Sequence, residues 1–392
     1  MYFQFLDSKS QCHSVYCDGK LHQDFSSLNL SHTWSPTPHF SNANVDYAHV
    51  LCEGKDIGDV CPDHLKEDWL ATVSKAQAFL KTFETAKINL SDICFYDSVP
   101  EHFLLEFYGL KNQITQYVFE NYKKPKNYSF MTALYNFTKQ IEQRCLNIDM
   151  SRLDYTNKIV RAASDKLKKA NNKISYNPWG TVTGRLTTNP NSFPILTLNK
   201  ELRSALLPKN DLFVEFDFNS AEVRTMLGLL GKAQPEEDLH DWICTNIFDQ
   251  KLTREETKKK VFRWLYNPKA KNKKLSAQFD REQLVEKHYI DGYIETPFDR
   301  SIEAAEDKAL NYLIQSTSSD VFLRSLLKVN TLLQDKKSFI CFCIHDSLVI
   351  DFAKEEKSML PEINEVFGGT CFGQYQTNIS IGKDFGSMRK IS

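Results

Sequence analysis

A chain of 392 residues has room for two or three domains and a large core. Hydrophobic residues make up 41%, charged residues 25%, and the formal net charge is −1. That is an ordinary soluble globular composition, in which any hold on nucleic acid must come from local clusters of Lys and Arg. No apolar run approaches membrane-spanning length, and the N-terminal MYFQFLDSKSQC lacks a basic segment followed by an apolar core, so a cytoplasmic chain with no membrane partner is expected.

Residues 1–60 are rich in His, Ser, Asn and aromatics, with strand-like pieces at 2–6 and 13–17. Cys12, His13, Cys17, Cys52, Cys61 and His64 could be imagined around zinc, but no CxxC pair is present and the spacing fits no zinc signature. The ten cysteines are expected to be reduced, small core residues. Residues 62–87 have helical periodicity, with Trp69, Val73, Ala76 and Leu80 on one stripe. KKPKN at 123–127 reads as a loop, and 130–171 as long amphipathic helices ending in the basic KLKKANNK.

From Tyr176 the chain becomes informative. YNPWGTVTGRLTTNPN is turn-rich, and Gly184 before Arg185 permits close approach of a backbone or ligand. An exposed Arg on a surface loop is the plainer reading of that stretch alone. LFVEFDFNSAEVR at 212–224 follows. Its first half alternates, with Val214, Phe216 and Phe218 on one face and Glu215 and Asp217 on the other. Its second half has helical spacing, so strand gives way to helix just after Asp217. A carboxylate at the end of a hydrophobic strand costs desolvation unless a cation or donor compensates it.

TREETKKKVFRWLYN at 253–267 opens with a capping box, Thr253 and Glu256. Arg254, Lys258, Phe262 and Tyr266 recur every four residues and drift only about 40° per step, so they line one helical face. Two cations followed by two aromatics suit a nucleotide, triphosphate at one end and base at the other. A solvated basic helix is the alternative for that segment in isolation, and a further basic run follows at 269–274. Asn311 and Gln315, also four apart, could donate to the acceptors every base pair shows in the minor groove. Last, SFICFCIHDSLVIDF at 338–352 reads as two apolar strands broken at His345-Asp346-Ser347. Two strand-borne carboxylates, Asp217 and Asp346, are what a two-metal phosphoryl-transfer site needs to bridge Mg²⁺ ions about 4 Å apart.

In order, TGRL around Arg185, DFNSAEVR at 217–224, RxxxKxxxFxxxY at 254–266, NxxxQ at 311–315 and HD at 345–346 resemble family A DNA polymerases of the bacterial polymerase I type. The match covers roughly 131–392, since IEQRCLNIDMSRL resembles the helix that opens the family's thumb. The resemblance implies an α+β right-hand polymerase, with a palm built on an antiparallel sheet and helical fingers and thumb, preceded by a small N-terminal region. Thumb would be 131–175, palm 176–235 and 299–392, and reduced fingers 236–298. Residues 1–130 would be a degenerate exonuclease remnant or an adaptor. Asp217 and Asp346 would hold two Mg²⁺ ions, with Arg254 and Lys258 on the phosphates of the incoming dNTP. Phe262 and Tyr266 would lie at the nascent base pair, and Glu222 would be the gate against a ribose 2′-hydroxyl. Arg185, Asn311, Gln315 and His345 would contact primer-template DNA.

The departures from the family matter. Ser347 stands where a glutamate is usual, which removes an acid from the site. Asn267 replaces a glycine after Tyr266, Asp307 an arginine, and the fingers are short. The first hundred residues contain no Asp-x-Glu, so no 3′→5′ proofreading is expected. The economy of the chain suits a phage or another small replicon, working with replication proteins such as a helicase or primase. The alternatives are a single-subunit RNA polymerase or primase-like relative, supported by His-Asp-Ser, and a catalytically idle DNA-binding scaffold.

Overall fold

The computed structural model describes residues 1–6, 14–37, 44–88, 94–169, 171–267 and 269–391. They form two compact units, Met1–Gln140 and Ile141–Ser392. The division expected at residue 130 falls inside the continuous helix Tyr128–Glu142, and the break lies ten residues later.

In the first unit, β1 (Phe3–Phe5), β2 (Val15–Cys17) and β3 (Lys20–His22) form an antiparallel meander. The β2–β3 turn is Asp18-Gly19, both at positive φ (48° and 76°), the backbone that best matches strand twist in a two-residue hairpin. Helices α1 (Asp63–Thr85), α2 (Glu101–Asn121) and α3 (Tyr128–Glu142) follow. Phe103, Leu104 and Tyr108 of α2 bury against Leu6 and Tyr16, and the Tyr108 hydroxyl donates to the Leu6 carbonyl at 2.7 Å. The stripe expected on α1 holds at its start, where Trp69 is buried, but fails at Leu80, which is exposed. Thr72, spending its hydroxyl on the Asp68 carbonyl, is buried instead.

KKPKN is the loop between α2 and α3, with Lys124 paired to Asp46 at 3.0 Å. The long helices expected over 130–171 are interrupted. After α3 the chain pairs Asn147–Ile148 with Leu206–Leu207, makes a single 3-10 turn at Met150–Arg152, and returns to α-helix in α4 (Lys158–Lys169). Ala170 of the basic segment lies outside the described residues, as do Cys12 and His13. Cys17, Cys52 and Cys61 are buried free thiols. Cys94 departs from the expectation of reduced cysteines: it is disulfide-bonded.

The second unit is built on a five-stranded antiparallel sheet, with β4 (Leu212–Phe218), β5 (Phe339–Ile344), β6 (Ser347–Phe352), β7 (Thr377–Gly382) and β8 (Arg389–Lys390) arranged β5-β6-β4-β7-β8. Around it lie α5 (Ala221–Leu229), α6 (Leu239–Asn246), α7 (Arg254–Tyr266), α8 (Glu306–Leu332) and α9 (Leu360–Gly368). β4 alternates from Val214 onward: Val214, Phe216 and Phe218 are buried, as is Phe213 on the other face, and the Phe218 ring stacks on Phe367 of α9 at 4.3 Å. The opposite face carries Glu215 and Asp217. Val223, Met226, Leu227, Leu239, Ile243, Val261, Trp264, Leu313 and Ile314 share one core, which fixes α7 against α5, α6 and α8. The mixed helix and sheet content agrees with the expected α+β class. Among the described residues no helix is long and apolar enough to cross a membrane.

Candidate active site

β4 is the centre of the sheet, and its end delivers the site. Asp217 pairs with Ser347 of β6 on one side and with Asn378 of β7 on the other. His345 and Asp346 form the two-residue turn between β5 and β6, with His345 at φ 55°. The turn therefore brings the sequence-distant Asp346 to the end of β4, within electrostatic reach of Asp217. Burial pushes the Asp217 carboxyl up to about 7, helped by the charges of Asp346 and Glu215, while the Asn378 amide and the Lys258 ammonium act against the rise. The Asn378 amide donates to Asp217 Oδ2 at 3.2 Å. Asp346 is likewise raised, chiefly by burial, with its own backbone N–H, His345 and Arg185 opposing. Two such carboxyls side by side repel each other unless a cation or a proton intervenes.

That charge imbalance is the chemistry a divalent ion would correct. Among the described residues no cluster of three or more His, Cys, Asp or Glu side chains is arranged as a metal cage. A pair of carboxylates fits Mg²⁺ nonetheless, because that ion is commonly held by one or two carboxylates plus substrate phosphates and water.

Glu222, in the first turn of α5, gathers a second group. Its carboxylate accepts from Arg185 Nη2 at 2.6 Å and from the Tyr266 hydroxyl. Burial raises its pKa, Arg185 counters, and Asp346 adds to the rise, so this group is within electrostatic reach of the carboxylate pair. Arg185 sits where it does because Gly184, at φ 74°, packs on the Arg300 guanidinium: a Cβ there would lie 2.5 Å from Arg300 Cζ. Asp320, fully buried on α8, holds Arg300 at 2.7 Å, and Ser319 Oγ donates to the Gly184 carbonyl at 3.0 Å.

On α7 the capping box is present in both directions. Phe262 and Tyr266 stack at 5.8 Å with an interplanar angle of 15°. Lys258 is exposed and acts on Asp217. Arg254 is engaged with Asp238 at 2.6 Å. Asn311 lines a cavity of about 730 Å³ with Tyr266, Arg281 and Asp307, and its side-chain oxygen is buried without a hydrogen-bond partner. Gln315, half-buried one turn further along α8, and exposed His345 make no hydrogen bond to these groups among the described residues.

Three residues of this neighbourhood escaped the sequence reading. Asp238 caps α6 and also accepts from Asn219 at 2.7 Å; burial pushes its pKa up, but the bonds from Arg254 and Asn219 hold it well below the usual range. His240 is buried against Phe262, ring centroids 5.9 Å apart, with its Nδ1 unpartnered and its pKa lowered to about 4 by burial. An Asp-Leu-His at a helix start was the available signal. Glu215 is the third: its face was legible, its partner was not.

No family model matches the chain. It is 25% identical to the DNA polymerase of Bacillus phage SP01, over 46% of this chain and 27% of that protein. It is 24% identical to the thermostable DNA polymerase I of Thermus aquaticus, over 55% of this chain and 32% of that protein. The chain thus spans a third or less of the length of these curated relatives. Both are DNA polymerases, one of them a bacterial polymerase I, the group the ordered motifs resemble. Among solved structures, the polymerase domain of Pol1 from M. smegmatis, in complex with DNA primer-template and dNTP, has a TM-score of 0.47 at 17% identity, covering 72% of this chain and 55% of that one.

Proposed function

We propose that the second unit is a template-directed DNA polymerase that adds dNTPs to a primer 3′-hydroxyl by two-metal nucleotidyl transfer. The observation that carries the reading is the approach of Asp217, at the end of β4, and Asp346, in the β5–β6 turn, with Lys258 of the Arg254–Lys258–Phe262–Tyr266 face of α7 acting on Asp217. Two Mg²⁺ ions held by Asp217 and Asp346 would lower the pKa of the primer hydroxyl and neutralise charge on the triphosphate. The protein's own groups supply the rest. Lys258 offers a cation to the phosphates and the leaving pyrophosphate. Arg254 joins it by exchanging Asp238 for phosphate oxygens. Phe262 and Tyr266 present stacked rings to the sugar and base. Glu222, pinned by Arg185 and Tyr266, closes the space a ribose 2′-hydroxyl would need. Arg185, Asn311, Gln315 and His345 would follow the primer-template near its terminus.

In this reading the β4–β8 sheet with α5, α8 and α9 is the palm, α6 and α7 belong to short fingers, and the segment around α4 to the thumb. The first unit, with no Asp-x-Glu, contributes no proofreading. His-Asp-Ser would also suit an RNA polymerase, but the Glu222–Tyr266 contact favours a deoxyribose selector. Extension of a primed template separates the readings: dNTPs and not rNTPs should be incorporated, and a mismatched 3′ end should persist without excision. Preferred use of rNTPs would overturn the assignment, and excision of the mismatch would overturn the absence of proofreading.

A further inference from the structure

The replacement of the usual glutamate by Ser347 leaves β6 without an acid beside Asp346. The structure puts one back from the neighbouring strand. Glu215, two residues before Asp217, points to the same face of β4, and the Ser347 hydroxyl, 6% exposed, donates to Glu215 Oε1 at 3.1 Å. Ser347 lies directly opposite Asp217, so Glu215 reaches it along the diagonal of the ladder, a separation long side chains span. The same hydroxyl lies 3.1 Å from the Ile344 carbonyl, at the other foot of the turn that carries Asp346. The one hydroxyl proton is shared between the Glu215 carboxylate and the Ile344 carbonyl, so Glu215 is tied directly to Ser347, the residue that closes the His345–Asp346 turn.

We propose that Glu215 replaces the missing acid of β6, as a positioning carboxylate that holds the Asp346 turn and accepts hydrogen bonds from the water around the metal pair. The inference rests on the polymerase reading above. Three carboxylates on one face repel one another, and the cations acting on them are spread out: Arg203 on Glu215, Arg185 and His345 on Asp346, Lys258 on Asp217. Glu215 is not part of a ready-made three-carboxylate cage. Its place is therefore one bond further out, where a partner orients the ligands and loss commonly costs about 10- to 100-fold in metal affinity.

The test uses the full chain with a dideoxy-terminated primer-template and the matching dNTP, a complex that cannot react. Mn²⁺ binding is followed by its spin-resonance signal. Glu215→Gln should weaken Mn²⁺ binding about tenfold or more, and Ser347→Ala, which cuts the tether and leaves the acid, by less. Glu215→Gln with Ser347→Glu, returning the carboxylate to β6, should restore it. On an extendable primer, Glu215→Gln should lower kcat and raise the Mg²⁺ requirement while leaving KM for dNTP unchanged. Wild-type Mn²⁺ affinity in Glu215→Gln, or no recovery in the double variant, would reduce Glu215 to a structural residue. Equal Mn²⁺ binding by wild type and Asp217→Asn would instead bring down the polymerase reading, and this inference with it.

Discussion

Asp217 and Ser347 are antiparallel partners across the sheet, and this one register carries Asp346, the residue before Ser347, to the side of Asp217. A slip of one residue would turn Asp217 into the core and leave Asp346 alone. The registers of β4 with β6 and β7 are therefore the structural basis of the site.

The raised pKa of Asp217 makes that site a stability liability. In the folded chain the carboxyl titrates at about 7, against 3.8 normally. Between those values the native state keeps a proton that the unfolded state has lost, so stability falls as pH rises through this window and is lowest above it. In metal-free buffer at pH 8, Asp217→Asn should therefore melt a few degrees above wild type, at about 2–4 °C per kcal/mol. Below pH 4 the difference should vanish. Mg²⁺ should raise the wild-type Tm at pH 8 and not the variant's. A melting difference that is the same at both pH values would contradict the charge account.

Glu222 makes two contacts at once, with Arg185 and with the Tyr266 hydroxyl, and its truncation should open the space they enclose. Glu222→Ala should raise rNTP over dNTP incorporation about tenfold or more, each 1.4 kcal/mol of lost discrimination being a factor of ten. Single-nucleotide extension with each sugar reads this directly. Unchanged sugar selectivity would remove the gate.

Lys258 acts on Asp217 from the exposed face of α7. Lys258→Ala should lose on the order of 10²–10³ in kcat, as removal of a charge-stabilising donor does. A change confined to KM would make it a ground-state contact only.

Arg300→Leu should be among the most destabilising substitutions in the second unit. It strands Asp320, fully buried on α8, without its 2.7 Å partner, and an unpaired buried charge costs about 3–5 kcal/mol. Because Gly184 packs on that guanidinium, the variant should also weaken primer-template binding through Arg185. Chemical denaturation checks the first claim, and a variant as stable as wild type would refute it.

Much of the second unit was legible because its signals are local. Alternation in LFVEFDF gave a strand, Thr253 and Glu256 a helix start, and His345-Asp346-Ser347 between apolar runs a break between two strands. What escaped depends on pairs distant in sequence. Nothing local tells that Ser347 bonds Glu215, that Asp238 takes Arg254, or that Asp320 fixes Arg300 under Gly184. In the first unit, Leu80 had the right spacing for a core stripe, but periodicity says which residues share a face and not how much of that face is covered.

The most direct test of the central claim is Mg²⁺-dependent extension of a primed template with dNTPs by wild type, Asp217→Asn and Asp346→Asn, with DNA binding measured in parallel by fluorescence anisotropy. The wild-type chain should extend the primer, and each variant should lose extension by orders of magnitude while binding primer-template as wild type does. Extension at wild-type rate by either variant, or none by the wild-type chain, would contradict the account.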